Sequence, residues 1–281
     1  MRKHITKKRF LLIGTLLLVA TISIGNQMFQ SGETAKQVTA PTAPSPEPVA
    51  LSGLQIYGTN WGETLATDGT GFYNDLVKLA LSGFDVRYDI RPYRRAKALF
   101  LRGAASCLYP SNIQLLIDGQ EIESPDGFID TDGFLVVKVF VFSKPGTKPP
   151  STVAEINHKS VAYAMGSRVP FFLRNANADF IAVSDETDKA QMLLSGRVDL
   201  MSAAMPDAKF VFDGLGTPMP PFDANYLLND TVVRITCHDT PGTRAFVAAF
   251  NEHLASLGNS GALSSLISSA GLDADLYLPK K

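Results

Sequence analysis

The stretch that decides the predicted fold runs from Ser160 to Asp207. It opens with Ser160-Val-Ala-Tyr-Ala-Met165, an apolar run typical of a buried strand. Two further strand patterns follow, Phe180-Ile-Ala-Val183 and Leu200-Met-Ser-Ala-Ala-Met205, and a helical pattern precedes each of them. Asp185 opens the second of these helices. This alternation of strands and helices predicts a parallel sheet wound with right-handed crossovers.

The turn Gly166-Ser167 lies at the carboxyl end of the first of these strands. Small ligands bind at such ends in wound parallel sheets, and the free amides at the start of the next helix favour an anion. Ser167 is also a good helix N-cap, because its hydroxyl can accept a hydrogen bond from the first turn. We therefore expect this turn to contribute to a binding site.

The residues before this stretch predict a second wound unit of the same kind. Its predicted elements are strands at 54–57, 84–90 and 106–109 and helices at 71–81 and 92–103. Two long strands, 134–142 and 231–237, flank the second unit, and we expect the chain to cross between the units along them, which makes a hinge. The predicted class is α/β with two lobes, each a mostly parallel sheet flanked by helices, joined by two hinge strands.

The composition is that of a soluble globular protein. The formal net charge is -1, charged residues make up 19% of the chain and hydrophobic residues 45%. No basic stripe with interleaved aromatic residues is present, so the sequence does not predict nucleic-acid binding. The four histidines are scattered without the spacing of zinc ligands, so no metal site is predicted.

The N-terminus is typical of an export signal. Basic residues precede an apolar core from Phe10 to about Ile24, which is shorter than the roughly 20 residues of a membrane span. The small residues of a cleavage site are only weakly matched at Ser23 and Gly25, so an uncleaved membrane anchor stays an alternative. The Pro-rich residues 26–50 predict an extended linker.

These observations divide the chain into four parts. They are a signal peptide or membrane anchor at 1–25, a Pro-rich linker at 26–50, a first lobe at 51–142 and 238–281, and a second lobe at 143–237. The chain is therefore predicted to be exported, with retention at the membrane as the alternative.

Four motifs occur in order along the two lobes. They are Gly71-Phe-Tyr-Asn-Asp-Leu76, Pro92-Tyr-Arg-Arg-Ala96, Val161 to Ser167, and Leu194-Ser-Gly-Arg-Val-Asp199. In this order and spacing the chain resembles the periplasmic type II solute-binding proteins, specifically extracellular family 3 of polar amino-acid ABC transporters. The resemblance implies a monomeric clamp without a cofactor, which closes on a small polar ligand and is read by an inner-membrane ABC permease or a sensor.

The resemblance also implies where the ligand binds. The family's contacts fall on the loop after the first strand, on the end of the third strand and on the Gly-Ser turn. In this sequence these places supply Tyr57, Asn60, Trp61, Tyr109, Ser111, Asn112, Gly166, Ser167 and Arg168. Arg95, on the helix predicted at 92–103, is a further candidate for contact with a ligand carboxylate.

The sequence departs from the family at both anchors for a free amino acid. The arginine that holds the α-carboxylate is missing from Ser111-Asn-Ile-Gln-Leu-Leu116, and Arg94, Arg95 or Arg168 could substitute for it. The acid that holds the α-ammonium is missing near Ala204, and the nearest one is Asp207. An amino acid and another small polar metabolite therefore both stay open as the ligand.

The two cysteines are predicted to form a disulfide. In the fold that this chain resembles, the returning crossing strand lies beside the third strand, which brings Cys237 next to Cys107. Such a pair is expected to oxidise in the periplasm. The alternative is two small buried thiols.

Two other functions stay open beside solute capture for a transporter. The long linker favours a membrane-tethered sensory or regulatory protein that uses the same clamp. A cleft dehydratase-type enzyme would need a carboxylate as general acid or base. Glu63 is the nearest candidate and has no evident partner, so we assign no catalytic residue and do not expect an enzyme.

Overall fold

The computed structural model describes residues 54–165 and 167–280. The predicted signal or anchor segment, the predicted linker and Gly166 lie outside the described residues. Within the described part, the structure has the mixed α/β architecture that the sequence predicts.

The first lobe is built on a parallel three-stranded sheet. Its elements are β1 (Gln55–Asn60), α1 (Phe72–Ala80), β2 (Arg87–Pro92), α2 (Tyr93–Arg102), β3 (Ser106–Ser111), α3 (Ile113–Asp118) and β4 (Phe128–Asp130). Strand β1 lies between β2 and β3 and pairs in parallel with both. Parallel pairing requires a crossover at each connection, and helices α1 and α2 provide it.

The second lobe repeats this plan. Its elements are β6 (Ser160–Ala164), α4 (Val169–Phe172), β7 (Asp179–Val183), α5 (Glu186–Leu194), β8 (Leu200–Met205) and α6 (Asp207–Gly214). Strand β6 pairs in parallel with β7 and β8, so the carboxyl ends of all three strands meet at one edge. Asp185 lies directly before α5, where the sequence predicts the helix to open, and its Oδ1 accepts hydrogen bonds from the amides of Thr187 at 2.8 Å and Asp188 at 3.0 Å.

Two long strands, β5 (Leu135–Ser143) and β9 (Asn229–His238), pass between the lobes and pair antiparallel with each other. Strand β9 also pairs with β3 and β4, and β5 also pairs with β8. Hydrogen bonding is therefore continuous through the two crossing strands, in the order β2-β1-β3-β9-β5-β8-β6-β7, with β4 on β9. The sheets of the two lobes are joined at the hinge rather than separate.

The sheet is continuous between the lobes, but the apolar cores are separate. Successive side chains of a strand point to opposite faces, so Phe142 on β5 packs with Leu193 of α5 while its neighbour Val141 packs with Val161 on the other face. In the first lobe, one core is formed by α1 and the C-terminal helices and a smaller one lies under α2. Strand β5 contributes to the cores of both lobes.

After β9 the chain returns to the first lobe through α7 (Pro241–Asn259), α8 (Ala262–Ser269) and α9 (Ala274–Tyr277). Buried side chains of α7 and α8 pack with those of α1 and with the second half of β9. The predicted lobe boundaries at 142/143 and 237/238 stay predictions. None of the helices within 54–165 and 167–280 has the length and hydropathy needed to span a bilayer.

The disulfide prediction is confirmed. Cys107 and Cys237 are register partners on the antiparallel strands β3 and β9, with their Cα atoms 4.0 Å apart, and their sulfurs are bonded. Both cysteines are fully buried in the core of the first lobe.

Candidate functional site

A cleft of about 270 Å³ lies between the lobes. One wall comes from the carboxyl ends of β1 and β3, and the opposite wall from the carboxyl ends of β6, β7 and β8. The crossing strands contribute Val137, Val139, Asn229 and Thr231 between the two walls. The cleft is therefore at the strand edges where wound sheets bind ligands.

Five of the residues expected to bind ligand line this cleft: Asn60, Trp61, Ser111, Ser167 and Arg168. The Asn60 side chain accepts a hydrogen bond from the Gly62 amide at 3.0 Å, which fixes the loop that presents Trp61. The indole packs edge-to-face on Tyr73, with ring centroids 5.3 Å apart. Gly166, the predicted partner of Ser167 in the turn, lies outside the described residues.

Tyr57 and Tyr109 lie elsewhere, in the cores of the first lobe. Tyr109 is fully buried, and its hydroxyl donates to the carbonyl of Tyr73 at 2.9 Å. Tyr57 packs against the cluster under α2 that contains Phe100 and Leu108. Both side chains are used in packing β1 and β3 against their helices, so neither is among the residues that line the cleft.

Asn112 and Arg95 also lie outside the cleft. The Asn112 carboxamide caps α3 by accepting from the Leu115 amide at 2.8 Å, and it donates to Thr231 Oγ1 at 2.7 Å and to the Val232 carbonyl at 3.0 Å. Its side chain thus joins β3 to β9. Arg95 lines a separate surface hollow beside β2, because it points from the face of α2 that is away from the cleft.

The turn after β6 presents donors that the described residues do not satisfy. Ser167 Oγ and Arg168 Nε are buried and have no hydrogen-bond partner within the described part of the chain. The prediction that Ser167 caps the next helix is wrong, because α4 begins after Arg168 and has no side-chain cap. The Arg168 guanidinium lies over the Phe171 ring, with 4.3 Å between Cζ and the ring centroid. A buried donor without an acceptor is unfavourable by about 1–3 kcal/mol, so this wall favours an incoming acceptor.

Helix α5 places Lys189 on the same wall. This residue was not predicted from the sequence. Lys189 is 1% exposed, lines the cleft, and pairs with Glu186 at 2.6 Å between Nζ and Oε2. In the sequence it lies among polar residues of an ordinary amphipathic helix. Only the position of α5 in the sequence could have indicated it. The helix opens at Asp185, shortly after β7, at the sheet edge where ligands bind.

Asp207, noted from the sequence only as a displaced acid, is buried at the base of the cleft. Its carboxylate accepts hydrogen bonds from the Tyr73 hydroxyl at 2.9 Å and from Thr64 Oγ1 at 3.1 Å. Burial, followed by the negative charge of Glu186, raises the pKa of Asp207 to about 6. Burial also raises the pKa of Tyr73 well above its usual value, so the phenol stays a donor.

The lobes touch at further points beside this carboxylate. Phe72 of α1 packs on Phe210 of α6 with ring centroids 5.2 Å apart. At the cleft mouth, a Cβ added to Gly62 would lie 3.7 Å from Asp185 Oδ2. The two walls of the cleft therefore lie close together.

Glu63, the carboxylate considered for a dehydratase, is not among the residues of this cleft. It lines a different groove between the lobes, beside Phe210, and a Cβ added to Gly214 would lie 3.1 Å from its Oε2. Within the residues that the structure describes, no three His, Cys, Asp or Glu side chains are grouped so as to hold a metal ion. The absence of a cofactor stays a prediction.

No protein-family model matches the chain, and no curated protein matches its sequence significantly. Solved structures do resemble its fold. A histidine kinase sensor domain with similarity to periplasmic binding proteins is 14% identical over 77% of this chain and 95% of its own, with a TM-score of 0.61.

Two ligand-binding proteins are similar to the same extent. The GluR0 ligand-binding core from Nostoc punctiforme, in complex with L-glutamate, is 13% identical over 77% of this chain and 97% of its own, with a TM-score of 0.62. The substrate-binding protein of an amino acid ABC transporter is 14% identical over 77% of this chain and 98% of its own, with a TM-score of 0.59. At these identities the likeness establishes the fold, which is that of the two-lobe periplasmic binding proteins.

Proposed function

We propose that this chain is a periplasmic solute-binding protein that captures a small polar molecule between its lobes for a membrane transporter. The observation that carries the proposal is the cleft at the strand edges, which has walls from both lobes and buried, unpartnered donors at Ser167 and Arg168. A ligand that contacts both walls favours the closed state, because it binds that state better than the open one.

The size and chemistry of the cleft limit the ligand. Its volume of about 270 Å³ lies just below the range of roughly 300–1,000 Å³ that is usual for small-molecule pockets. The Arg168 guanidinium offers the planar fork that suits a carboxylate, in place of the arginine missing after β3. Trp61 and Tyr93 supply aromatic surface on the opposite wall.

The same cleft offers an environment for a cationic group. Glu186 and Asp207 both line it, and the charge of Glu186 is one cause of the raised pKa of Asp207. A ligand ammonium placed between them would relieve this repulsion. We therefore propose an amino acid or a related zwitterionic metabolite as the ligand, in agreement with what the similar structures bind or transport.

The protein is proposed to be exported by its N-terminal segment and to act as a monomer on an inner-membrane ABC permease. A second candidate is a membrane-tethered sensor of the same ligand. The similarity to a histidine kinase sensor domain favours it, together with the Pro-rich residues 26–50. The N-terminus of the protein recovered from cells distinguishes the two: a start near Asn26 supports a released binding protein, and an intact Met1 supports a tethered sensor.

The binding proposal is tested by thermal shift against amino acids and small organic acids, followed by calorimetry on each stabilising compound. We expect micromolar dissociation constants, which correspond to about -8 kcal/mol. Arg168→Ala and Trp61→Ala should weaken binding at least tenfold, whereas Arg95→Ala, outside the cleft, should not.

A panel without any stabilising compound at millimolar concentration would overturn the proposal, because a ligand at 100 times its dissociation constant stabilises by about 2.7 kcal/mol. Equal effects of Arg95→Ala and Arg168→Ala would place the site elsewhere. An NMR time course on the bound compound tests for an enzyme, since ligand captured for transport is recovered unchanged.

A further inference from the structure

We propose that Lys189 is a second anion anchor in the cleft, so that the preferred solute carries a carboxylate or other oxyanion in addition to the one held by Arg168. This inference rests on the proposed function, because it concerns the ligand of the same cleft. The preferred solutes are therefore small molecules with two oxyanion groups.

The ammonium of Lys189 is carried by a buried side chain. The Lys189 side chain is 2% exposed, and its single ion-pair partner in the described residues is Glu186, at 2.6 Å. A protonated lysine carries three N–H donors, so two remain for acceptors from the cleft that this side chain lines. Burying a charged donor is unfavourable unless its hydrogen bonds are made, and a ligand oxyanion can accept both.

Lys189 lies beside the turn that carries Ser167 and Arg168. Strands β6 and β7 are parallel neighbours, so the turn after β6 and the start of α5 after β7 lie side by side. Ser167 and Arg168 occupy the first place, and Lys189 is in the first turns of the helix at the second. The two cationic groups therefore belong to the same wall.

The other lysine that lines the cleft already has partners of its own. Lys97 pairs with Glu121 and lies over the Tyr93 ring at 4.2 Å. Its ammonium already has an anion and an aromatic face within the first lobe. Of the two cleft lysines, Lys189 is thus the one with donors left for a solute.

The test uses pairs of compounds that differ in charge, glutamate with glutamine and aspartate with asparagine. Glutarate is added as a compound with two oxyanions and no amine, and lysine and arginine as cationic amino acids. Calorimetry on the full chain should show the acidic member of at least one pair binding roughly ten- to hundredfold more tightly than its amide. Lys189→Met should remove this preference by weakening the acidic member alone, and Lys189→Arg should keep most of it.

Because Lys189→Met leaves Glu186 without its counter-ion, the double variant Lys189→Met/Glu186→Gln is measured as well. It carries neither charge and should show the same loss of preference. Lys148→Met is the matched control, because Lys148 forms an exposed ion pair with Glu155 at 3.4 Å outside the cleft.

Three outcomes would overturn the inference: tighter binding of the amides, tighter binding of cationic amino acids, or equal weakening of both members of a pair by Lys189→Met. The last result would assign Lys189 a structural role. In each of these cases a compound still binds, so the proposed function survives. If none of these compounds binds, the inference fails, whereas the proposed function is decided separately by the wider panel of amino acids and small organic acids.

Discussion

Tyr73 donates a hydrogen bond to Asp207 across the lobes, with 2.9 Å between the phenolic oxygen and the carboxylate Oδ2, although the residues are 134 positions apart. Tyr73 lies on α1 of the first lobe and Asp207 begins α6 of the second. Thr64 donates to the other carboxylate oxygen at 3.1 Å. The lobes are thus joined by a polar contact at the base of the cleft in addition to the two crossing strands.

Removing the phenol should destabilise the protein measurably. Tyr73→Phe leaves the buried carboxylate with one donor fewer, and a hydrogen bond to a charged group contributes roughly 1.5–3 kcal/mol. We expect a loss of that size in the free energy of unfolding, measured by urea titration at pH 7.5. Tyr88→Phe is the control, because its hydroxyl donates to the neutral Asn74 at 3.2 Å within the first lobe. Equal losses in both variants would contradict the importance of the contact.

The free energy of unfolding should rise as the pH falls from 7 toward 4. The pKa of Asp207 is raised from 3.8 to about 6, chiefly by burial. Between these values the folded state binds a proton that the unfolded state does not, so the contribution is complete below about 4 and lost as the pH rises through about 6. This contribution of Asp207 to the free energy of unfolding is about 3 kcal/mol.

Asp207→Asn should flatten this part of the pH profile of the free energy of unfolding. Urea titrations at several pH values measure the profile. Two other carboxyl groups have lowered pKa values and affect stability at lower pH. Hydrogen bonds from Ser151 and Ser160 hold the pKa values of Glu155 and Asp199, respectively, at about 2. Their contribution is present above the ordinary carboxylate pKa and lost as the pH falls through about 2. A variant with the wild-type slope between pH 5 and 7 would rule out Asp207 as the source.

Reduction of the disulfide should lower stability strongly. The bond between Cys107 and Cys237 closes a loop of 130 residues, for which the chain-entropy model gives about 4–5 kcal/mol. The variant Cys107→Ser/Cys237→Ser should unfold at correspondingly lower urea concentration, and adding a reductant to it should have no further effect. A reductant that leaves the wild-type midpoint unchanged, with free thiols detected by mass, would contradict this.

Gly71 should not tolerate a side chain. Its φ is +100°, and a Cβ there would lie 2.3 Å from the carbonyl oxygen of Glu63 and 2.5 Å from that of Thr64. We expect Gly71→Ala to destabilise by at least roughly 3 kcal/mol, from backbone strain and overlap with atoms that cannot move independently. Gly83→Ala shares the positive φ, +86°, but meets nothing within 4 Å, so about 1–2 kcal/mol is expected. Thermal unfolding of both variants compares them, and similar melting temperatures would be inconsistent with the overlap.

Local patterns predicted the elements and their order well. The alternation of strands and helices in 160–207, the helix that opens at Asp185 and the two crossing strands are all present. These features depend on side chains close in sequence or on the burial period of one strand or helix, which the sequence displays directly. The pairing of the cysteines was not predicted from a local pattern but from the strand order of the fold that the chain resembles.

The site was predicted only in part. Tyr109 and Asn112 have the residue types of ligand contacts, yet one fills a core and the other joins β3 to β9. Conversely, Lys189 and Asp207 gave little signal because each lies in an ordinary helical pattern. Whether a polar side chain faces a cleft or a neighbouring strand depends on how two elements pack, and no local pattern records that.

The sequence by itself determined an α/β chain with two wound units, because periodicity and helix caps are properties of neighbouring residues. The tertiary structure decided which charges share the cleft and that Asp207 meets Tyr73, since these contacts join residues of different lobes. It also decided that the sheet runs unbroken through the hinge. Such relations arise only when distant segments are packed together, where burial and hydrogen bonding act between lobes rather than along the chain.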